Sequence, residues 1–255
     1  MAVTGSTTVG VLALQGAFAE HVKHLKAAAK GAAKQRPGRV DVVEVRTAEE
    51  LARCDALVIP GGESTAISLI AARTGLLDPL RKFVRIDRKP VWGTCAGMIL
   101  LADEATKTQR GAQDLVGGLD VRVHRNHFGR QTESFSAPLE MPFLGAPTTY
   151  GDADTFEGVF IRAPVVECLL AGDVPPATGE MVAAPTAAEL ATLVGAAETT
   201  RPPVEVLCSL ERADRGERVI VAVRQGSVFG TSFHPELTAD TRLHEWWLRE
   251  CVLGH

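Results

Sequence analysis

Val91-Trp92-Gly93-Thr94-Cys95-Ala96-Gly97-Met98 joins one apolar run to another through two glycines that flank a single cysteine. The run at 90–93 reads as a buried strand, and the run at 96–102 reads as a helix. A strand that turns at once into a helix strains the residue between them and brings its neighbours too close to carry side chains. G-x-C-x-G is thus the thiol counterpart of the G-x-S-x-G nucleophile elbow. Its sulfur stands proud of the sheet edge, over a helix N-terminus whose N–H groups and dipole favour a thiolate or an oxyanion. The competing reading is a tight glycine-rich turn around a buried structural cysteine.

The same rhythm continues outward. Residues 9–14, 40–45 and 56–59 are expected strands. Residues 17–34 are an expected helix that closes at Arg36-Pro37-Gly38, and 64–84 a helix interrupted at Gly75 and Pro79. Strands alternating with helices at this pitch predict right-handed βαβ units: a three-layer αβα fold with a mostly parallel central sheet and helices on both faces. After residue 110 the pattern changes to short strands at 116–123, 133–138, 158–162, 204–211, 218–223 and 226–231, read as an antiparallel extension of the sheet. A last helix at 238–252 carries Leu243, Trp246, Trp247 and Leu248 on its apolar face. Two stretches, 142–155 and 173–203, are rich in Pro, Ala, Thr and Gly and read as mobile surface insertions, with one helix at 187–194. Residues 1–255 are expected to form one domain.

Composition excludes several classes. The chain has 45% hydrophobic and 23% charged residues and a net charge of −4, which gives no electrostatic case for nucleic acid or an anionic membrane. The N-terminal residues lack a basic targeting region, and no apolar run approaches the roughly 20 residues that span a bilayer. The five cysteines, Cys54, Cys95, Cys168, Cys208 and Cys251, are odd in number and widely spaced. That argues against a disulfide framework and for a reducing, cytoplasmic setting. The seven histidines show no metal-ligand spacing, and no cofactor is called for.

Three further motifs bear on chemistry. In Ser232-Phe233-His234-Pro235-Glu236 the histidine and glutamate stand at i and i+2, on one side of an extended segment. Glu236 can then fix the imidazole tautomer while the other ring nitrogen faces a thiol. For the tripeptide alone, a solvated pair at a strand end is the better reading; the pairing with Cys95 reverses that. Pro60-Gly61-Gly62-Glu63-Ser64-Thr65 follows a strand and opens a helix, so its amides suit an oxyanion and Glu63 a substrate ammonium. An N-cap at Ser64 is the plainer reading, compatible with the first. Arg125-Asn126-His127-Phe128-Gly129-Arg130-Gln131 is a polar turn in which Arg125 could clamp a carboxylate.

Together these motifs resemble class I, triad-type glutamine amidotransferases, and most closely the PdxT/SNO family of glutaminase subunits of pyridoxal 5′-phosphate synthase. The resemblance also rests on Gly10-Val11-Leu12-Ala13-Leu14-Gln15-Gly16, Glu20-His21, Phe160-Ile161-Arg162-Ala163-Pro164 and Thr231-Ser232, in the family's order along nearly the whole chain. It implies a flavodoxin-like fold and hydrolysis of L-glutamine to glutamate and ammonia through a γ-glutamyl thioester. It implies Cys95 as nucleophile, His234 as base and then acid, and Glu236 as its orienting group. Gly62 and Ala96 would supply oxyanion amides, and Gly62, Glu63, Ser64, Arg125, Ile161 and Arg162 would bind glutamine. It further implies a partner, the (β/α)₈-barrel synthase subunit that consumes the ammonia, with Gln15 near the interface. Another class I amidotransferase, a silent scaffold on the same fold and a cysteine peptidase are the alternatives; the filled triad positions speak against the scaffold.

Overall fold

Parallel strands buried on both faces are near-continuous apolar runs, and the first half of the chain supplies them. The computed structural model describes residues 6–35, 39–107, 113–125, 134–145, 154–172, 174–177, 179–212 and 216–254. In chain order the first half comprises β1 (Thr7–Leu12), α1 (Phe18–Gln35), β2 (Val40–Val45), α2 (Ala48–Ala52), β3 (Ala56–Ile59), α3 (Ser64–Arg73), α4 (Leu77–Arg81), β4 (Val91–Thr94) and α5 (Ala96–Leu101). The second half comprises β5 (Ala102–Thr106), β6 (Leu119–His124), β7 (Ser134–Glu140), β8 (Thr155–Ile161), β9 (Val165–Leu169), β10 (Met181–Ala183), α6 (Ala187–Val194), β11 (Glu205–Arg212), β12 (Glu217–Gln225), β13 (Val228–Thr231) and α7 (Arg242–Trp246).

The main sheet runs β10-β5-β6-β9-β12-β13-β4-β3-β1-β2, with β11 on β12. Its β2-β1-β3-β4-β13 half is parallel throughout, and β9, β11 and β12 extend it antiparallel. Strand alternation sorts the core into two layers. Leu57 and Ile59 of β3 face a cluster with Ile67, Leu80 and Met98 from α3, α4 and α5. Ala56 and Val58 face the other side, with Leu25 of α1 and Trp247 after α7. Each fully buried Val, Leu or Ile contributes roughly 1.5–3 kcal/mol. The chain is therefore an α/β protein with helices on both faces of a mixed sheet.

The structure departs from expectation in places. β7 and β8 form a separate two-stranded sheet instead of extending the main one; Leu139, Phe156 and Phe160 turn into the second core layer. Pro79 does not interrupt a helix. The break is at Gly75, with φ +69°, and Pro79 falls in the first turn of α4, where its missing N–H costs nothing. α4 continues as a π-turn over Lys82–Ile86, and α7 does so over Trp247–Val252. The last helix starts at Arg242, later than the expected 238. β6 begins only at Leu119 because Gly117 and Gly118 take positive φ.

The 173–203 stretch is docked, not a free excursion. β10 pairs with β5, and Thr186 and Glu189 form a capping box on α6. Arg85 and Glu198 make a buried ion pair at 2.5 Å, and Arg201 bridges Asp103 and Asp120. In the 142–155 stretch, Pro142–Leu144 is a 3₁₀ turn with Leu144 buried; residues 146–153 lie outside the described residues.

Candidate active site

β4 delivers Cys95 to the sheet edge in a conformation that L-residues seldom adopt, φ +47° and ψ −102°. The surroundings enforce it. Cys95 N–H donates to Thr231 O at 2.8 Å, across the β4–β13 pair. A Cβ on Gly93 would lie 2.5 Å from the Gly97 carbonyl carbon, and one on Gly97 would lie 2.0 Å from Ile59 O. Both glycines of the elbow are thus required by backbone packed on backbone, as the sequence suggested. Ala96 is the first residue of α5, so its N–H belongs to the open amides of a first helical turn.

His234 follows β13, and its N–H donates to Val159 O at 2.8 Å. Its Nδ1 lies 2.7 Å from Glu236 Oε1. Burial lowers the His234 pKa, but hydrogen-bonding and charge contacts with Cys95 and Glu236 outweigh it and raise the pKa to about 10. Glu236 is buried, which favours its neutral form. His21 and His234 more than offset that and hold the carboxyl well below its ordinary range. With Nδ1 committed to Glu236, the Cys95 contact falls to Nε2. A thiol, an imidazole and a carboxylate in this line are what nucleophilic acyl transfer needs.

Cys95 and His234 open into a cleft of about 800 Å³ that Gly62, Glu63, Ser64, Arg125, Ile161 and Arg162 also line. The structure thus gathers the expected site residues on one cleft, with Glu236 behind His234 and Ala96 beside Cys95. A larger cleft of about 890 Å³ lies at the β2 edge among Lys26, Lys30, Arg39 and Asp41. Among the described residues neither cysteine nor histidine lines it, so size does not locate the chemistry.

Arg125 is buried, and burial lowers its pKa to about 10, against the opposing charge of Glu63. Its Nη1 donates to Gln113 Oε1, while Nε and Nη2 have no partner among the described residues. Buried guanidinium donors left open suit a carboxylate. Arg162, just after β8, has φ +46° and is a second strained residue on the same cleft.

The N-cap of α3 is Glu63, not Ser64. Its carboxylate accepts from Thr65 N at 3.1 Å and Ala66 N at 2.9 Å. Ser64 Oγ donates instead to Gln113 Oε1 at 3.2 Å. Gln15 Oε1 accepts from Glu63 N at 2.7 Å, tying the first turn of the fold to the Gly61-Gly62 loop. Residues 126–131 of the Arg125 motif lie outside the described residues.

Sequence reasoning missed Gln113, which gathers Ser64, Thr65 and Arg125 around one carbonyl oxygen. It missed Lys107 and Glu180, which meet at 2.8 Å on the cleft rim. It gave no role to His21, whose Nε2 lies 3.3 Å from Glu236 Oε2. Only the Glu20-His21 motif hinted at it.

All five cysteines are free, and no described helix is long and apolar enough to cross a membrane.

Known proteins are similar to this chain in sequence and fold. The chain matches the SNO glutamine amidotransferase family over residues 11–192 and 198–253. It is 45% identical over 236 residues to the pyridoxal 5′-phosphate synthase subunit PdxT of Streptomyces avermitilis, covering 92% of this chain and 90% of that one. It is 40% identical over 248 residues to the pyridoxal 5′-phosphate synthase subunit SNO1 of Saccharomyces cerevisiae, covering 96% and 92%. A crystal structure of a glutamine amidotransferase superposes with a TM-score of 0.65 at 39% identity, covering 94% of this chain and 97% of that one. With a family match over most of its length, a shared fold and the elbow in place, the chain belongs to the SNO glutamine amidotransferase family.

Proposed function

We propose that this chain hydrolyses L-glutamine to glutamate and ammonia, as the glutaminase subunit of a pyridoxal 5′-phosphate synthase, and passes the ammonia to a (β/α)₈-barrel synthase subunit. Residues 1–255 act as one glutaminase domain, in a reducing, cytoplasmic compartment. The observation that carries the reading is the buried line from Cys95 through His234 to Glu236, opening onto a cleft with a buried, half-paired Arg125. The relatives' names supply the acceptor pathway.

His234 Nε2 takes the Cys95 proton, and the sulfur attacks the side-chain amide carbon of glutamine. The amide oxygen gathers charge against the N–H groups of Gly62 and Ala96. As the tetrahedral centre collapses, the C–N bond breaks, His234 returns the proton to the departing nitrogen and ammonia leaves a γ-glutamyl thioester. Water, deprotonated by His234, then attacks the thioester carbon. The C–S bond breaks, glutamate is released and the thiol is restored. Glu236 holds the imidazolium formed in each half-reaction. Arg125 takes the substrate α-carboxylate, Glu63 the α-ammonium, and Ser64, Ile161 and Arg162 close the sides.

The test is glutamate release from glutamine, measured with the chain alone and with a pyridoxal 5′-phosphate synthase subunit, beside Cys95→Ala. Release that depends on Cys95 and is stimulated by the synthase is expected. Cys95-dependent release indifferent to that subunit would assign a different acceptor. No release in either condition from folded protein would refute glutaminase function.

A further inference from the structure

We propose that His21 is a positioning residue for the Cys95–His234–Glu236 line, holding the far oxygen of Glu236 through a buried relay that starts at His244. The inference rests on the triad reading above and extends it by two histidines to which sequence reasoning assigned no role.

Glu236 lies between two imidazoles. His234 Nδ1 meets Oε1 at 2.7 Å, and His21 Nε2 stands at ion-pair distance from Oε2, 3.3 Å, where Oε2 has no hydrogen-bond partner among the described residues. The same His21 nitrogen is 3.2 Å from Oγ1 of Thr94, the residue before the nucleophile. His21 Nδ1 is 3.0 Å from His244 Nε2. His21 and His244 are fully buried, and Trp92 packs edge-on against both rings, at 5.7 Å and 4.8 Å between centroids.

The chemistry fixes the hydrogens. A carboxylate only accepts, so His21 presents a hydrogen at Nε2. In the neutral His21 ring Nδ1 then accepts, and His244 donates through Nε2. Burial, and the neighbouring His21 and His24, hold the protonated form of His244 down, so its Nδ1 is a bare acceptor, consistent with its having no partner among the described residues. The reverse tautomers would aim a lone pair at the carboxylate and bury an orphan N–H, the costlier defect. The relay therefore runs in one direction, from His244 to His21 to Glu236, and meets His234 from the other side. It spans α1, β4, the 3₁₀ turn Pro235–Leu237 and α7, so these elements together fix the carboxylate in the plane His234 needs. Orientation of an orienting group is worth roughly ten- to hundredfold where it has been removed around other reactive centres.

Two polar substitutions separate positioning from packing. The longer amide of His21→Gln can place a donor where Nε2 stands; the shorter amide of His21→Asn reaches only the Nδ1 position, toward His244. Each variant is assayed for glutamate release with the synthase subunit bound, and its melting temperature is recorded. His21→Asn is expected to lose kcat roughly ten- to hundredfold with KM for glutamine unchanged, and His21→Gln to stay within about threefold of the parent. Equal kcat in the two variants, whether high or low, overturns the proposal. In the unsubstituted protein, imidazole ¹⁵N shifts should place the His21 hydrogen on Nε2; a hydrogen on Nδ1 alone overturns it whatever the variants do. Parent protein that releases no glutamate, or Cys95→Ala that still does, would sink the glutaminase reading instead.

Discussion

Replacing Gly61 by alanine should silence the site while leaving the fold standing. A Cβ there would lie 2.3 Å from His234 Cε1, 2.8 Å from His234 Nδ1 and 3.4 Å from Cys95 Cβ. Carbon atoms rest about 3.5–4.0 Å apart, so something must move by about 1.2 Å. The loop cannot retreat: Gly61 O accepts from Ala17 N at 3.1 Å, and Gly16 packs so closely on that oxygen that a Cβ would meet it at 1.9 Å. The imidazole must yield. A shift of about 1 Å stretches its 2.7 Å contact with Glu236 Oε1 beyond hydrogen-bond range and displaces Nε2 from the thiol. Misplacement of that size costs about a hundredfold in rate, and the overpacking about 1–3 kcal/mol in stability. Glutamate release with the synthase subunit should show kcat down about a hundredfold and KM little changed, in protein that still melts cooperatively. Gly97→Ala is the contrast: its Cβ would strike the Ile59 carbonyl at 2.0 Å, backbone against backbone, and folding itself should fail. Gly61→Ala within about threefold of parent kcat would refute the claim that this loop packs directly on the catalytic imidazole.

Arg125→Ala should raise KM for glutamine more than it lowers kcat, on the proposal that its open guanidinium donors take a ground-state carboxylate; a pure kcat loss in steady-state assays would contradict that role. His234 has a folded pKa of about 10 against an ordinary 6.5, so its contribution to stability is full below about pH 6.5 and is lost as pH rises toward 10. Urea unfolding across that window should show a decline that His234→Asn removes; an unchanged slope in the variant would assign the decline elsewhere. Glu198→Ala leaves Arg85 buried without its ion-pair partner and should cost about 3–5 kcal/mol by denaturant unfolding, against under 1 kcal/mol if 173–203 were a loose excursion.

The parallel half of the sheet was legible because buried strands announce themselves as apolar runs. The bounds of β2 and β3 agree with their expected ranges, as do those of α6. β5 was not legible: Ala-Asp-Glu-Ala-Thr has little strand propensity, and it is a strand because β6 and β10 pair with it. α2 was not among the expected helices: Thr47 and Glu50 form a capping box on it, but it is only five residues long. The 173–203 composition suggested mobility because the charges that anchor it, Glu198 and Arg201, find partners more than eighty residues away in sequence. At the site, the glycine spacing around Cys95 is local and could be read directly; His234 and Glu236 do meet, but through the 3₁₀ turn Pro235–Leu237 and not along the extended segment expected. Gln113, His21 and His244 could not be read directly, since positions 21, 94, 236 and 244 meet only once α1 and α7 pack on one face of the sheet.

The central claim is that Cys95 attacks glutamine and carries a γ-glutamyl thioester. Its most direct test is peptide mapping by mass spectrometry of protein acid-quenched during glutamine turnover with the synthase subunit present. The account predicts a glutamyl mass on the peptide holding Cys95, absent in Cys95→Ala. A glutamyl adduct on Cys54, Cys168, Cys208 or Cys251 instead, or turnover with no adduct on any cysteine in Cys95-intact protein, would contradict it.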